Sequence, residues 1–360
     1  MRRTLLRLLW IAIGLLFISP PAVMLWRERL KRSAVFEEHR WVLGQPPARV
    51  AEETTVDLFP ASSVLGMVLP LPADVGELQL VVPSPDGRKI LSFGASDRVL
   101  RLFSTQTGKE LRSFGNTDVA AACFLPDGSR VVTTSWSVSV WDLNTGQGTP
   151  LTSADGFMRK IECVAVAPNG LTALSGSVDG SIHVWNLSNS KELGVITHTG
   201  RAARAVGYSA DGNRVMAITY DGFIHVCDIR NGQQLASHRA YTGSVISAAF
   251  SANGRLVVLG CDNKTACLWD VDAMAQLHRL EGHQGAVNHA SFSRNASKLL
   301  TRSNDELMLW DVASGRKLAS RRVEGLGGLH KVALLPDGRH VVVGGSKPGV
   351  VAMMPAEKKE

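Results

Sequence analysis

A four-residue turn signal recurs at almost constant spacing through most of the chain. It reads Ser-Pro-Asp-Gly at 84–87, Leu-Pro-Asp-Gly at 125–128, Ala-Pro-Asn-Gly at 167–170 and Ser-Ala-Asp-Gly at 209–212. It continues as Ser-Ala-Asn-Gly at 251–254, Ser-Arg-Asn-Ala at 293–296 and Leu-Pro-Asp-Gly at 335–338. Successive copies lie 41 residues apart once and 42 residues apart five times. A period of this size means that one supersecondary unit is copied, each copy being unable to bury a core alone. Asp-Gly and Asn-Gly accept the left-handed backbone of a tight hairpin turn, so each signal joins two strands.

Alternating runs flank the turns, such as Val245 to Phe250 before one and Arg255 to Gly260 and Thr265 to Trp269 after it. Period-two patterning with β-branched residues reads as strands. No stretch of 64–354 sustains a 3.6-residue period for three turns, which leaves an all-β body. With 45% hydrophobic and 20% charged residues the chain is neither disordered nor collagen-like. Its five cysteines, Cys123, Cys163, Cys227, Cys261 and Cys267, are odd in number, follow no zinc or redox spacing, and read as small core residues.

A second signal trails each turn, as Val140-Trp141-Asp142, Val184-Trp185-Asn186, Val226-Cys227-Asp228, Leu268-Trp269-Asp270 and Leu309-Trp310-Asp311. Together with Gly282-His283 and Ser175 to Gly180, these residues closely resemble the WD-repeat (WD40) family over residues 64–354. The resemblance implies a β-propeller in which each repeat makes one four-stranded antiparallel blade, and seven repeats imply seven blades. It also implies a buried hydrogen-bond set, complete here only as His283, Thr301, Asp305 and Trp310. Asp142, Asp228, Asp270 and Asp311 would bracket a turn. After the third strand of the last repeat only the charged tail 355–360 remains, so the strand 63–69 is expected to complete that blade and close the ring of 63–354.

The first 32 residues differ in kind. Arg2, Arg3, Arg7, Arg27, Arg29, Lys31 and Arg32 face Glu28 alone there, a net +6 out of +7 for the chain. The body, at +1, lacks the uncompensated basic clusters that tracking a phosphate backbone requires, so no nucleic-acid partner is expected. From Leu8 to Trp26 nineteen residues carry no charge. As a helix they span about 28 Å, close to a bilayer's hydrocarbon core. Trp10 and Trp26 stand near the ends, at headgroup depth. Residues 1–32 are thus expected to form a membrane anchor crossing the bilayer over 8–26, and 33–62, with Gln45-Pro46-Pro47, a stalk and linker. An exported protein with a cleaved signal is the competing reading, although no small-x-small site follows the apolar run. Three basic residues before the run and four after it leave sidedness open, with a lean to an extracytoplasmic body.

The chain contains no Gly-x-Ser-x-Gly, no phosphate-binding loop and no His-Glu-x-x-His, so no enzyme activity, cofactor or metal is expected. His283 and His289 are read as structural. By the resemblance, turns between the second and third strands reach the face most used for partners, and they hold Arg98, Trp136, Tyr220, Asn263-Lys264 and Arg302, with His198 and Tyr241 in preceding loops. The expected function is a membrane-tethered platform for protein partners, with Trp136 as chief anchor. The alternative is a small-ligand or catalytic propeller, lactonase-like or quinoprotein-like, which needs acids, amides or imidazoles converging at the central channel.

Overall fold

The structure, a computed structural model, describes residues 67–71, 75–116, 118–153, 160–304, 306–323, 329–345 and 350–356. The apolar run 8–26, the linker 33–62 and most of the tail lie outside the described residues. Among the described residues no helix is long and apolar enough to cross a membrane.

The strands pair into seven four-stranded antiparallel sheets, here called blades. Six are continuous in sequence, at 78–116, 121–150, 161–198, 203–239, 245–280 and 289–322 (blades 1 to 6). Blade 7 combines Leu329–Leu334, His340–Gly345 and Val350–Pro355 with the strand Met67–Pro70 from the opposite end of the chain. Met67 faces Met353 and Pro70 faces Val350 across an antiparallel ladder. Pro70 lacks an N–H and sits on the blade's outer strand, where that loss is tolerated. First strands of consecutive blades touch all the way round, including those of blades 7 and 1, so the sheets form a closed ring with the first strands innermost.

Each hairpin between first and second strands is built as its sequence requires. In blade 5 the Ser251 hydroxyl accepts the Leu256 N–H at 3.0 Å and donates to Asn253 Oδ1 at 2.7 Å, while Asn253 Oδ1 also accepts the Arg255 N–H at 3.1 Å. The last turn residue is left-handed, a glycine with φ between 65° and 70° in six copies and Ala296 at 55° in blade 6. The aspartates after the tryptophan position close the next turn. Asp142 Oδ1 accepts the N–H groups of Asn144 and Thr145 at 2.9 and 2.8 Å, and Asp270 and Asp311 act alike. The Thr145 N–H is the chief reason that the Asp142 carboxyl lies below its usual range.

The core lies in the seams between blades. The second and third strands of blade 3 are buried at every residue, whereas the outer strands of blades 4 and 6 are mostly exposed. Between blades 3 and 4, Leu174, Ile182 and Val184 pack with Ala203, Val206 and Val215, and comparable clusters fill the other seams. The cysteines are free, and Cys163, Cys227, Cys261 and Cys267 are buried in these seams.

A hydrogen-bond set joins strand to strand within the blades. Thr301 Oγ1 accepts the Trp310 indole N–H at 2.7 Å and lies 2.7 Å from His283 Nε2. Asp305 is outside the described residues. The indoles of Trp141 and Trp185 donate likewise to Thr133 and Ser175. In blade 5 the equivalent position is Leu259, and the buried Trp269 Nε1 is left without a partner.

Leu69, on the closing strand, is fully buried against Leu78, Val81, Phe103, Ala333 and Val342. Leu69→Ala removes apolar packing from the one seam whose blade is assembled from both ends of the chain. It is expected to cost about 2–4 kcal/mol in urea unfolding, and a change under about 0.5 kcal/mol would mean that this strand does not hold the ring.

Candidate functional site

The turns between second and third strands crowd one end of the ring, and most expected contact residues stand on them. In blade 2 the turn is so tight that the Ser135 N–H reaches the Ser137 carbonyl at 3.0 Å, which leaves Trp136 at the tip, 55% exposed. Tyr220 caps the turn of blade 4 and is 42% exposed, with its ring 5.1 Å from the Arg204 guanidinium. Arg98 is exposed at a left-handed position (φ 56°) with Nε 3.4 Å from Asp118. Lys264, also exposed, adopts φ 72° where blades 3 and 4 carry Gly180 and Gly222.

Arg302 does not belong to this surface. It lies within Lys298–Ser303, paired with His289, and is only 7% exposed. Its position is that of Gly176, Gly260 and Gly344, which face a neighbouring blade; a Cβ on Gly176 would approach Ala203 Cβ of blade 4 to 2.9 Å. In blade 6 the position carries a long side chain whose Nε donates to Asn288 Oδ1 at 2.9 Å. His198 is likewise not in a loop, since it ends the fourth strand of blade 3 opposite Ser181. Tyr241 is tied down, its hydroxyl donating to Asp262 Oδ1 at 2.6 Å.

Sequence reasoning passed over Val178. It is 41% exposed at the turn of blade 3, 42 residues before Tyr220, and the repeat spacing alone could have located it. Trp136, Val178 and Tyr220 thus make an apolar arc over three consecutive blades, while the turns of blades 1, 5 and 6 present Arg98, Lys264 and Asn304.

A cavity of about 390 Å³ is lined by the first strands of blades 2 to 5, from Glu162 and Arg204, the latter against the Tyr220 ring, to Pro168 and Ser251 in the turns between first and second strands. Its wall includes Ala121, Ala165, Ala205, Gly207 and Ala248. Two charged residues, Glu162 and Arg204, stand at irregularities of the first strands, where an extra residue redirects a side chain. Arg204 Nη1 lies 3.4 Å from Glu162 Oε2, and Lys160 Nζ lies 3.7 Å from Oε1 of the same carboxylate. Small apolar walls with one ion-paired cluster resemble a surface for contact more than a set of groups converging for acid–base chemistry. Among the described residues no three His, Cys, Asp or Glu side chains are grouped to hold a metal.

One constellation does have the residue types of a nucleophilic triad. His183 lies with Nε2 3.0 Å from Ser181 Oγ and Nδ1 2.7 Å from Glu192 Oε1. Ser181 is 1% exposed, and its hydroxyl proton points to Asp179 Oδ1 at 2.6 Å rather than to His183 Nε2, so the imidazole does not take that proton to make a nucleophile. The chain continues from Glu192 to the Ser153 hydroxyl, beside the parallel bridge from Thr152 to Lys191 that links blades 2 and 3. This network fastens strands together.

The repeat geometry and the tryptophan sets decide the family comparison. The description "WD domain, G-beta repeat" matches residues 148–186, 232–270 and 274–311. The chain carries WD40 repeats on a β-propeller. Among curated proteins it is similar to the anaphase-promoting complex subunit cdh1 of Dictyostelium discoideum, 27% identical over 125 residues, 30% of this chain and 15% of that one. It is also similar to the U3 small nucleolar RNA-associated protein 15 of Schizosaccharomyces pombe, 31% identical over 94 residues, 25% of this chain and 19% of that one. The WD40 chain therefore spans less than a fifth of either relative's length. Among solved structures, the β-propeller domain of Cps50 (Swd1) from Myceliophteria thermophila superposes with a TM-score of 0.68 at 15% identity, covering 80% of this chain and 99% of that one. At that identity the likeness is one of fold.

A half-buried imidazole whose Nε2 is enclosed makes a test of the seam between blades 6 and 7. Burial first, then the charges of Arg302 and Lys331, push His289 down to about 3, and its Nε2 is buried without a partner. The unfolded chain protonates this ring near pH 6.5 while the folded one does not, so its contribution to stability is complete above that pH and is lost as pH falls through 6.5 toward 3. Between pH 7 and pH 5 the loss is about 1–2 kcal/mol. His289→Phe should flatten the pH dependence of the melting temperature over that interval; an unchanged slope would mean that the imidazole is solvated.

Proposed function

We propose that this protein is a non-enzymatic platform that docks other proteins on the turn face of its propeller, and that residues 8–26 tether it to a bilayer. The observation that carries the docking reading is the run of Trp136, Val178 and Tyr220, exposed on three adjacent blades of a ring with apolar seams. Large apolar side chains grouped at the surface mark interaction sites, and aromatic anchors dominate binding energy. One of the two curated relatives is a subunit of an assembly and the other a protein associated with an RNA, and a role in assembling partners is consistent with both. Nucleic acid is not the proposed partner here, because the body outside residues 1–32 carries only +1.

The tether rests on the sequence alone: nineteen uncharged residues bounded by tryptophans and arginines. The proposal places the protein in a membrane as a single-pass chain, with sidedness open and a lean to an extracytoplasmic propeller.

Two measurements test these readings. Full-length protein captured from detergent-solubilised membranes should retain partners that Trp136→Ala and Tyr220→Ala lose, each substitution weakening binding by about 2 kcal/mol, or about 30-fold. An unchanged partner set would remove this face from consideration. In alkaline carbonate extraction the intact chain should stay with the membranes and a chain lacking residues 1–32 should be released; release of the intact chain would end the tether proposal.

A further inference from the structure

We infer that the segment docking on the Trp136–Val178–Tyr220 arc is an extended peptide carrying an acidic side chain between apolar ones, the carboxylate seated at the channel mouth against Arg204 and Lys160. The inference rests on the docking reading above and specifies its partner.

Its first support is a local imbalance of charge. Lys160 and Arg204 converge on the one carboxylate of Glu162, at 3.7 and 3.4 Å, so this cluster is left with one positive charge in a body that is otherwise nearly neutral. Both distances exceed those of tight charge-assisted hydrogen bonds, which fall near 2.8 Å, so neither cation is saturated. The Lys160 side chain is 56% exposed and that of Arg204 30%.

The second support is how Arg204 is held. Its Nε donates to the Val245 carbonyl at 3.3 Å and its guanidinium lies over the Tyr220 ring. The fork is thus fixed between two blades before any partner arrives, and a guanidinium has five donors, more than these contacts use. A preorganised guanidinium beside exposed aromatic and aliphatic side chains suits a carboxylate with apolar neighbours. It disfavours a basic segment, which would meet Lys160, Arg201 and Arg204 against only the two carboxylates of Glu162 and Asp221.

The probe is a phage library of random dodecapeptides selected on the full-length protein in detergent, followed by fluorescence anisotropy with synthetic copies of the enriched sequences. Enriched peptides are expected to hold Asp or Glu flanked by apolar residues. Replacing that acid by its amide, or Lys160 by Glu in the protein, should each weaken binding about five-fold or more, and Trp136→Ala about ten-fold or more. A peptide whose acid is changed to Lys should regain affinity for Lys160→Glu. Lys160 is exposed, so the variant is expected to melt with the wild type, and that comparison is part of the test. Enrichment of basic or uncharged peptides whose binding still needs Trp136 overturns the acidic partner and leaves the docking face standing. Peptides indifferent to both Trp136→Ala and Tyr220→Ala, or no enrichment at all, overturn the docking face with it.

Discussion

Everything else in this molecule depends on a four-residue ladder. Met67–Pro70 lies against Val350–Pro355, and through it one blade is assembled from both ends of the body. A row of sheets would leave an apolar face exposed at each end, whereas a ring has none. Leu69 is fully buried because of this pairing, and the seam it enters joins the last blade to the first. Cooperativity follows, since opening that seam exposes two faces at once.

Closure also explains which residues are free to vary. The seams take Leu, Ile, Val and Ala from consecutive blades, so the interior constrains faces of strands rather than tips of turns. Polar support within the blades can lapse without loss of the sheet: Trp269 has no hydroxyl to bond because Leu259 takes the place of Thr133, Ser175 and Thr301. The turn tips meet neither constraint. Indole, isopropyl, phenol and ammonium groups follow one another there on nearly identical scaffolds, which is how a stiff disc gains specificity.

The period of the turn signal made the sheets legible before any coordinate, and the short last repeat pointed to a strand supplied from upstream. Tips were read less well. Arg302 and Trp136 look equivalent in a sequence, because each is a large residue near a turn. They differ because Arg302 lies two residues before the tip, inside its strand and paired with His289, whereas the repeat spacing puts Asn304 where blade 2 carries the unpaired Trp136. Glu162 and Arg204 were hidden for a related reason. Period-two alternation cannot show an irregularity that inserts one residue and turns its side chain toward the channel, yet that insertion puts both into the cavity wall. Val178 was missed because valine in a strand-rich chain signals core, and only its place in the repeat marks it as a tip.

The position of the apolar arc around the ring is itself informative. The chain enters the disc through the closing strand, between blades 7 and 1, and the arc occupies blades 2 to 4. If residues 8–26 sit in a bilayer, the tether joins the disc at a seam that borders none of the three arc blades except through blade 1. A segment lying across Trp136, Val178 and Tyr220 then does not compete with the linker for the same edge, and the cations at the channel mouth face it from the inner strands of blades 3 and 4. Under the proposed reading, tethering and docking would use different sectors of the ring, so either could be altered while the other is kept.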